Sequence, residues 1–267
     1  MEPTYLHELC RGAHLGRKVK PLYTCKNLKL TKSCVFTRNA PAGPVGRRRT
    51  AIAHCRQCPR LVAWIDEQRR LNPQHHNGPV PDWGDSRARV LLVGLAPGRL
   101  GANRTGRAFV GDSSSNFLFA GLYRAGFATS AQPDQAKLRS LAITNVVKCL
   151  PPQNTPTREE LRNCKAHLQT ELAAFWTPRA RKPRVLLSLG GVAHRALWQA
   201  LPEELTGGEA APPFNHGGEF QLASNLQLVS CFHTSKLNTQ TGRLTPVMLD
   251  AVLLRVSALV GLASSHE

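Results

Sequence analysis

Two polar segments carry side chains whose types and spacing suit chemistry on a flat or anionic ligand. The first reads Gly94–Leu95–Ala96–Pro97–Gly98, then Gly101–Ala102–Asn103–Arg104–Thr105–Gly106–Arg107–Ala108–Phe109–Val110–Gly111–Asp112. Its glycines let backbone approach a ligand closely, with amides free to meet anionic oxygens. The order of a Walker loop is missing, and no helix is expected directly after the first glycines, so a dinucleotide fingerprint is excluded as well. Phe109 sits in a polar loop where a ring could stack on a flat ligand such as a base, or fold back onto the core. Asp112 could serve a site or simply cap the helix that follows. The second segment, His233–Thr234–Ser235–Lys236–Leu237–Asn238–Thr239–Gln240–Thr241–Gly242–Arg243–Leu244–Thr245, gathers an imidazole, hydroxyls, an amide and two cations. Lys236 and Arg243 could meet phosphates, and Leu237 could wedge into a stack of bases. A lone histidine such as His233 is also a common structural residue.

Cysteine supplies a third constellation. Cys55 and Cys58 form a C-x-x-C pair, and Cys149 and Cys164 follow with 14 residues between them. Four thiolates around one centre would suit zinc or an iron–sulfur cluster. Spacing alone leaves buried, inert cysteines as the alternative. Cys10, Cys25, Cys34 and Cys231 complete the eight, and in a reducing compartment all would be thiols or ligands rather than disulfides.

The elements that must position these groups follow from periodicity. Arg89–Leu95, Leu141–Val147, Arg184–Leu189 and Leu226–Phe232 are short runs rich in Val, Leu or Ile and read as buried strands. Pro59–Arg70, Ser114–Ala125, Arg158–Phe175, Ala193–Leu201 and Pro246–Leu262 read as helices. Thr157 with Glu160 matches a capping box, and Pro246 suits a first helical position. Alternation of the two predicts an α/β fold: three layers, αβα, around a central four-stranded, mostly parallel sheet. Ligands of such folds sit beyond the carboxyl ends of the strands, where both polar segments begin.

The chain of 267 residues is long enough for one well-buried domain of about 200 residues plus an appendage. Its net charge of +18 is divided evenly: residues 1–50 hold 11 Lys and Arg against two acids, and the remainder 24 against 15. A basic body favours a polyanionic partner through counterion release, although it also aids solubility. No run approaches ~18 apolar residues and the N-terminus lacks the apolar core of a signal peptide, so a cytoplasmic protein with no membrane contact is expected. Residues 1–48 end in a Pro/Gly/Arg-rich run and read as a basic, flexible arm; residues 49–267 read as the functional domain. The arm could add DNA affinity, or be a stretch upstream of the true start.

Taken together, these segments resemble the uracil-DNA glycosylase superfamily, most closely its family 5, the B-type enzymes with an iron–sulfur cluster. The resemblance rests on Gly94–Gly98, Gly101–Arg107, Phe109 with Gly111–Asp112, Asn238–Thr239, Thr241–Thr245 and the order of the four cysteines. It covers about residues 50–262. It implies a [4Fe–4S] cluster on Cys55, Cys58, Cys149 and Cys164, structural or DNA-positioning rather than chemical. It also implies that Phe109 stacks on a base flipped out of DNA, that Asn145 hydrogen-bonds the base edge, and that His233 stabilises charge on the base carbonyl. Gly94, Ala96, Ser235 and Arg243 would contact substrate, Leu237 would fill the gap in the helix, and Asp112 would orient water.

Three positions depart from the family pattern. Leu95–Ala96 stands where other branches of the superfamily place a water-orienting acid or amide, a gap that family 5 shares. Thr234 follows the histidine where proline is usual, and Ala108 replaces a common proline before the stacking ring. The implied activity is that of a monomeric, monofunctional glycosylase in DNA repair, acting at the nucleoid and leaving an abasic site. Its substrate would be DNA containing uracil, with hypoxanthine or xanthine as further bases. Two rivals are a non-catalytic DNA-binding or redox-sensing module on the same fold, and a zinc-stabilised α/β protein acting on a phosphorylated ligand.

Overall fold

The computed structural model describes residues 44–262. The arm expected over residues 1–48 lies outside the described residues up to 43, as do Cys10, Cys25 and Cys34. Its last five residues correct the expected boundary, because helix α1 (Pro44–Ala53) starts within it. Proline is favoured at a first helical position, and the helix is tied down by Arg48 and Arg49, which reach Asp82 at 2.8 and 3.1 Å.

Four parallel strands form the centre: β2 (Val90–Gly94), β3 (Leu141–Asn145), β4 (Arg184–Leu189) and β6 (Leu226–Cys231). The sheet has six strands rather than the four expected. Short β1 (Trp83–Gly84) and β5 (Glu219–Ala223) add antiparallel edges, giving the order β1-β3-β2-β4-β6-β5. Both escaped the apolar-run criterion for a physical reason. One is two residues long, and the other is a half-exposed edge strand, Glu-Phe-Gln-Leu-Ala, with little to bury.

Alternate residues of each central strand feed opposite faces. Val90, Leu92, Ile143, Leu187 and Val229 pack under α4 (Ser113–Arg124) and α9 (Pro246–Leu259). Leu91, Val93, Leu186 and Leu228 pack under α2 (Pro59–Leu71), α5 (Arg158–Phe175) and α6 (Gly191–Ala200). This is the period-2 alternation of a sheet buried on both sides. Each fully buried Leu or Val contributes about 1.5–3 kcal/mol, so the three-layer arrangement follows from these strands alone. Short turns among the described residues are α3 (Ala102–Thr105) inside the glycine-rich segment, a 3-10 turn at Pro152–Asn154, α7 (Glu203–Thr206), and α8 (Lys236–Gln240) inside the second polar segment. Among the described residues no helix is long and apolar enough to cross a membrane.

Candidate active site

The carboxyl ends of β2, β3 and β6 open onto one cavity of about 540 Å³. Leu95, Ala96, Phe109, Asp112, Asn145, His233 and Ser235 line it, from segments more than a hundred residues apart in the chain. Gly94 lies against Asn145 and Phe109. A Cβ there would lie 2.5 Å from both Asn145 Oδ1 and the Phe109 ring, so only glycine lets the amide and the ring meet.

Phe109 occupies the left-handed backbone region, with φ of 55°. For a bulky residue this is strained, and such strain persists only where the surroundings enforce it. Here Trp83 Nε1 donates to the Ala108 carbonyl at 2.9 Å, and Arg104 donates to the carbonyls of Leu100 and Gly111 at 2.8 and 3.0 Å. The Phe109 ring lies 5.7 Å from that of His233, tilted by 40°.

Asp112 caps a helix and also lines the cavity. One oxygen, Oδ1, caps α4 by accepting from Ser115 N at 2.9 Å and from Ser115 Oγ at 2.8 Å. The other, Oδ2, faces the glycine segment, where a Cβ on Gly98 or Gly101 would approach it to 3.1 or 2.3 Å. The cap thus fixes the carboxylate while leaving one oxygen toward the cavity. His233 is enclosed by protein except toward the cavity. Burial, opposed by the charge of Asp112, pushes its imidazole below the ordinary value and favours the neutral ring. Its carbonyl accepts from Asn238 Nδ2 at 2.8 Å, which holds the turn despite Thr234. Thr234 itself is buried, and its hydroxyl has no partner.

Asn145 is only 2 % exposed, and its Oδ1 has no hydrogen-bond partner. A buried unsatisfied acceptor costs about 1–3 kcal/mol, so a ligand N–H reaching it would recover that loss. Its backbone carbonyl is held by Lys148, whose Nζ donates to Asn145 O and Glu171 Oε2 at 2.6 Å and to Thr144 Oγ1 at 2.7 Å. Lys148 and Glu171 are each 1 % exposed, a buried ion pair with its hydrogen bonds filled. Sequence reading missed this support. The signal was available in α5, where Glu171 falls on the same helical face as Cys164, Leu168, Leu172 and Phe175. Arg99 and the 57 %-exposed Leu100, also missed, stand at the cavity rim.

Three expected contacts fall outside the cavity lining: Gly94, which lies behind Asn145 and Phe109, Leu237 and Arg243. Leu237, on the first turn of α8, is 72 % exposed. Arg243 lies 4.9 Å over the ring of Phe232 and lines an adjoining cavity. Ser235, besides facing the main cavity, caps α8.

The four cysteines converge, an outcome that their spacing alone left open. Cys55 follows α1, Cys58 caps α2, Cys149 follows β3 and Cys164 lies on α5, and all four line one small cavity. Burial pushes the Cys149 thiol up to about 12, with the other three sulfurs adding to the effect. Burial also raises Cys164 to about 11, against the opposing charge and N–H of Lys148. Bound metal would reverse this by holding the thiolates. Lys148 N and Asn163 Nδ2 already donate to Cys164 and Cys58 sulfurs at 3.3 and 3.7 Å. Among the described residues no three such side chains are spaced to hold a single metal ion. Four cysteines around one cavity are the donor set that zinc or an iron–sulfur cluster takes.

Comparison with known proteins agrees with this geometry. A family model described as Uracil DNA glycosylase superfamily matches residues 81–256. A type-5 uracil-DNA glycosylase of Thermus thermophilus is 40 % identical over 219 residues, 79 % of this chain and 96 % of that protein. Its counterpart in Mycobacterium bovis is 39 % identical over 232 residues, 83 % and 84 % of the two chains. That of Pyrobaculum aerophilum is 39 % identical over 218 residues, 79 % and 91 %. The chain belongs to the uracil-DNA glycosylase superfamily, on its type-5 branch.

Proposed function

We propose that this protein hydrolyses the N-glycosidic bond of uracil in DNA, acting as a monofunctional base-excision glycosylase. The observation that carries the reading is the unpartnered Asn145 Oδ1, buried beside the Phe109 ring at the wall of the cavity. An acceptor and a donor on one rigid amide match the N3–H and O4 edge of uracil. Phe109 stacks on the extruded base, and neutral His233 donates to O2 as negative charge develops there. The C1′–N1 bond breaks with its electron pair leaving on the base. Asp112 Oδ2 offsets the positive charge on the sugar and orients a water, whose oxygen bonds to C1′ and whose proton is released. No lysine Schiff base is required. Exposed Leu237 fills the space left by the flipped nucleotide, while Arg243 contacts the backbone.

Cys55, Cys58, Cys149 and Cys164 would hold a [4Fe–4S] cluster that ties four elements together beside the site. The small Ala96 and the cavity volume support entry of the bicyclic bases hypoxanthine and xanthine as well.

The test is release of free base from duplexes carrying uracil or hypoxanthine opposite each normal base. Uracil release is expected, and Asp112→Asn lowers its rate about a hundred- to ten-thousandfold with the fold intact. Binding of the uracil duplex without any base release, iron being present, would establish the non-catalytic reading instead.

A further inference from the structure

Beyond the cavity, a second basic surface runs between α5 and α6. Arg158, Arg162 and Lys165 recur at four- and three-residue spacing, so they share one face of α5, with Leu161 and Leu168 beside them. From α6, Val192, Arg195, Ala196 and Gln199 form the facing wall. Together they bound a groove of about 690 Å³ lined by four cations and no carboxylate. All four cations are exposed. Glu160, on the same stretch of α5, is taken up by its pair with Arg60.

The groove is joined to the active site by shared walls. The main cavity and the adjoining one both touch Leu95 and His233, and the adjoining one is bounded by Phe214, Phe232 and Arg243. That cavity in turn shares Val192 and Arg195 with the groove. Val146, immediately after Asn145, lines the groove as well.

We propose that this trough carries the continuation of the DNA strand bearing the flipped nucleotide, with its phosphates on Arg195, Arg158, Arg162 and Lys165. The inference rests on the glycosylase reading and extends it to an accessory single-strand site. A positive groove with no acid in its lining is the form that tracks a phosphodiester chain.

The experiment compares kcat/KM of the full-length, iron-loaded protein on a short uracil duplex and on the same duplex carrying a single-stranded tail of about ten nucleotides. The tail continues the uracil strand on its 5′ or its 3′ side. For one polarity the tail should raise kcat/KM about tenfold at low salt. The double variant Arg162→Gln/Lys165→Gln should lose that gain, with the slope of log affinity against log salt falling by about 1.4, while turnover of the short duplex is unchanged. Absence of a tail effect in either polarity overturns the proposal. So does a variant that keeps the effect, which would leave the groove to an acidic protein segment, or one that loses equally on both substrates. If no substrate releases base, the glycosylase reading fails separately, and anisotropy of a labelled single strand with and without the two substitutions still decides the groove.

Discussion

Two regions separated by only three residues of the chain, Asn145 at the end of β3 and Cys149 just beyond it, are built on opposite terms. Around Asn145 the protein leaves work undone: a buried acceptor without a partner, a phenylalanine held in strained backbone, an open cavity between loops. Around Cys149 it closes up. Arg60 on α2 forms a two-pronged pair with Glu160 on α5, both bonds 2.7 Å, and Glu160 also completes the capping box with Thr157. The first pattern suits a guest that comes and goes; the second suits one that stays. Lys148 lies between them, its ammonium supporting Asn145 and its amide donating to Cys164.

That shared residue offers the harshest way to break the comparison. Lys148→Met leaves Glu171 buried and unpaired, and should cost about 3–5 kcal/mol, measured by the denaturant midpoint. Lys148→Met with Glu171→Leu should recover much of it, because two apolar side chains replace two desolvated charges. Recovery of stability without recovery of base release would show that the lysine serves the site through Asn145. A smaller effect sharpens the closed side. Glu160→Gln weakens a charged pair whose arginine is 43 % exposed, and should cost about 1 kcal/mol. It should also speed loss of iron to a chelator, with little change in turnover while the cluster remains.

The mildest probe is pH. Burial lowers the proton affinity of His194, His216 and His233 below the ordinary histidine value. The unfolded chain therefore takes up protons below about pH 6.5 that the folded chain refuses, and stability falls as pH drops through that range. Asp82 and Glu160 act lower. Burial alone would raise both, but their arginine partners outweigh it and hold them below the carboxylate range. Their contribution is present above about pH 4 and disappears as pH falls through the folded values. Thermal melts should thus decline in two steps. A flat profile from pH 7.5 to 5.5 would contradict the histidine assignments.

Much of this arrangement was legible in the residues. The four central strands are continuous apolar runs because both faces are buried, and β4 and α5 begin and end where periodicity places them. The glycine segment, Phe109 and His233 stood out as polar-loop chemistry, and the strand-end rule put them on one face. What stayed hidden was long-range or poorly apolar. Edge strands β1 and β5 have little to bury, α1 is anchored by a carboxylate 33 residues away, and the Lys148–Glu171 pair joins two elements that only folding brings together. Asp112 shows the limit most clearly. Its sequence position could not divide capping from catalysis, and the fold assigns one oxygen to the cap and turns the other toward the cavity.

The most direct test of this division of labour is single-turnover release of uracil by Asn145→Ala, with iron content and visible absorption measured on the same preparation. The account predicts a loss of at least a hundredfold in release with the cluster signature unchanged, about the cost of one well-placed polar contact in a transition state. Release at the unaltered rate, or loss of release and cluster together, would contradict it.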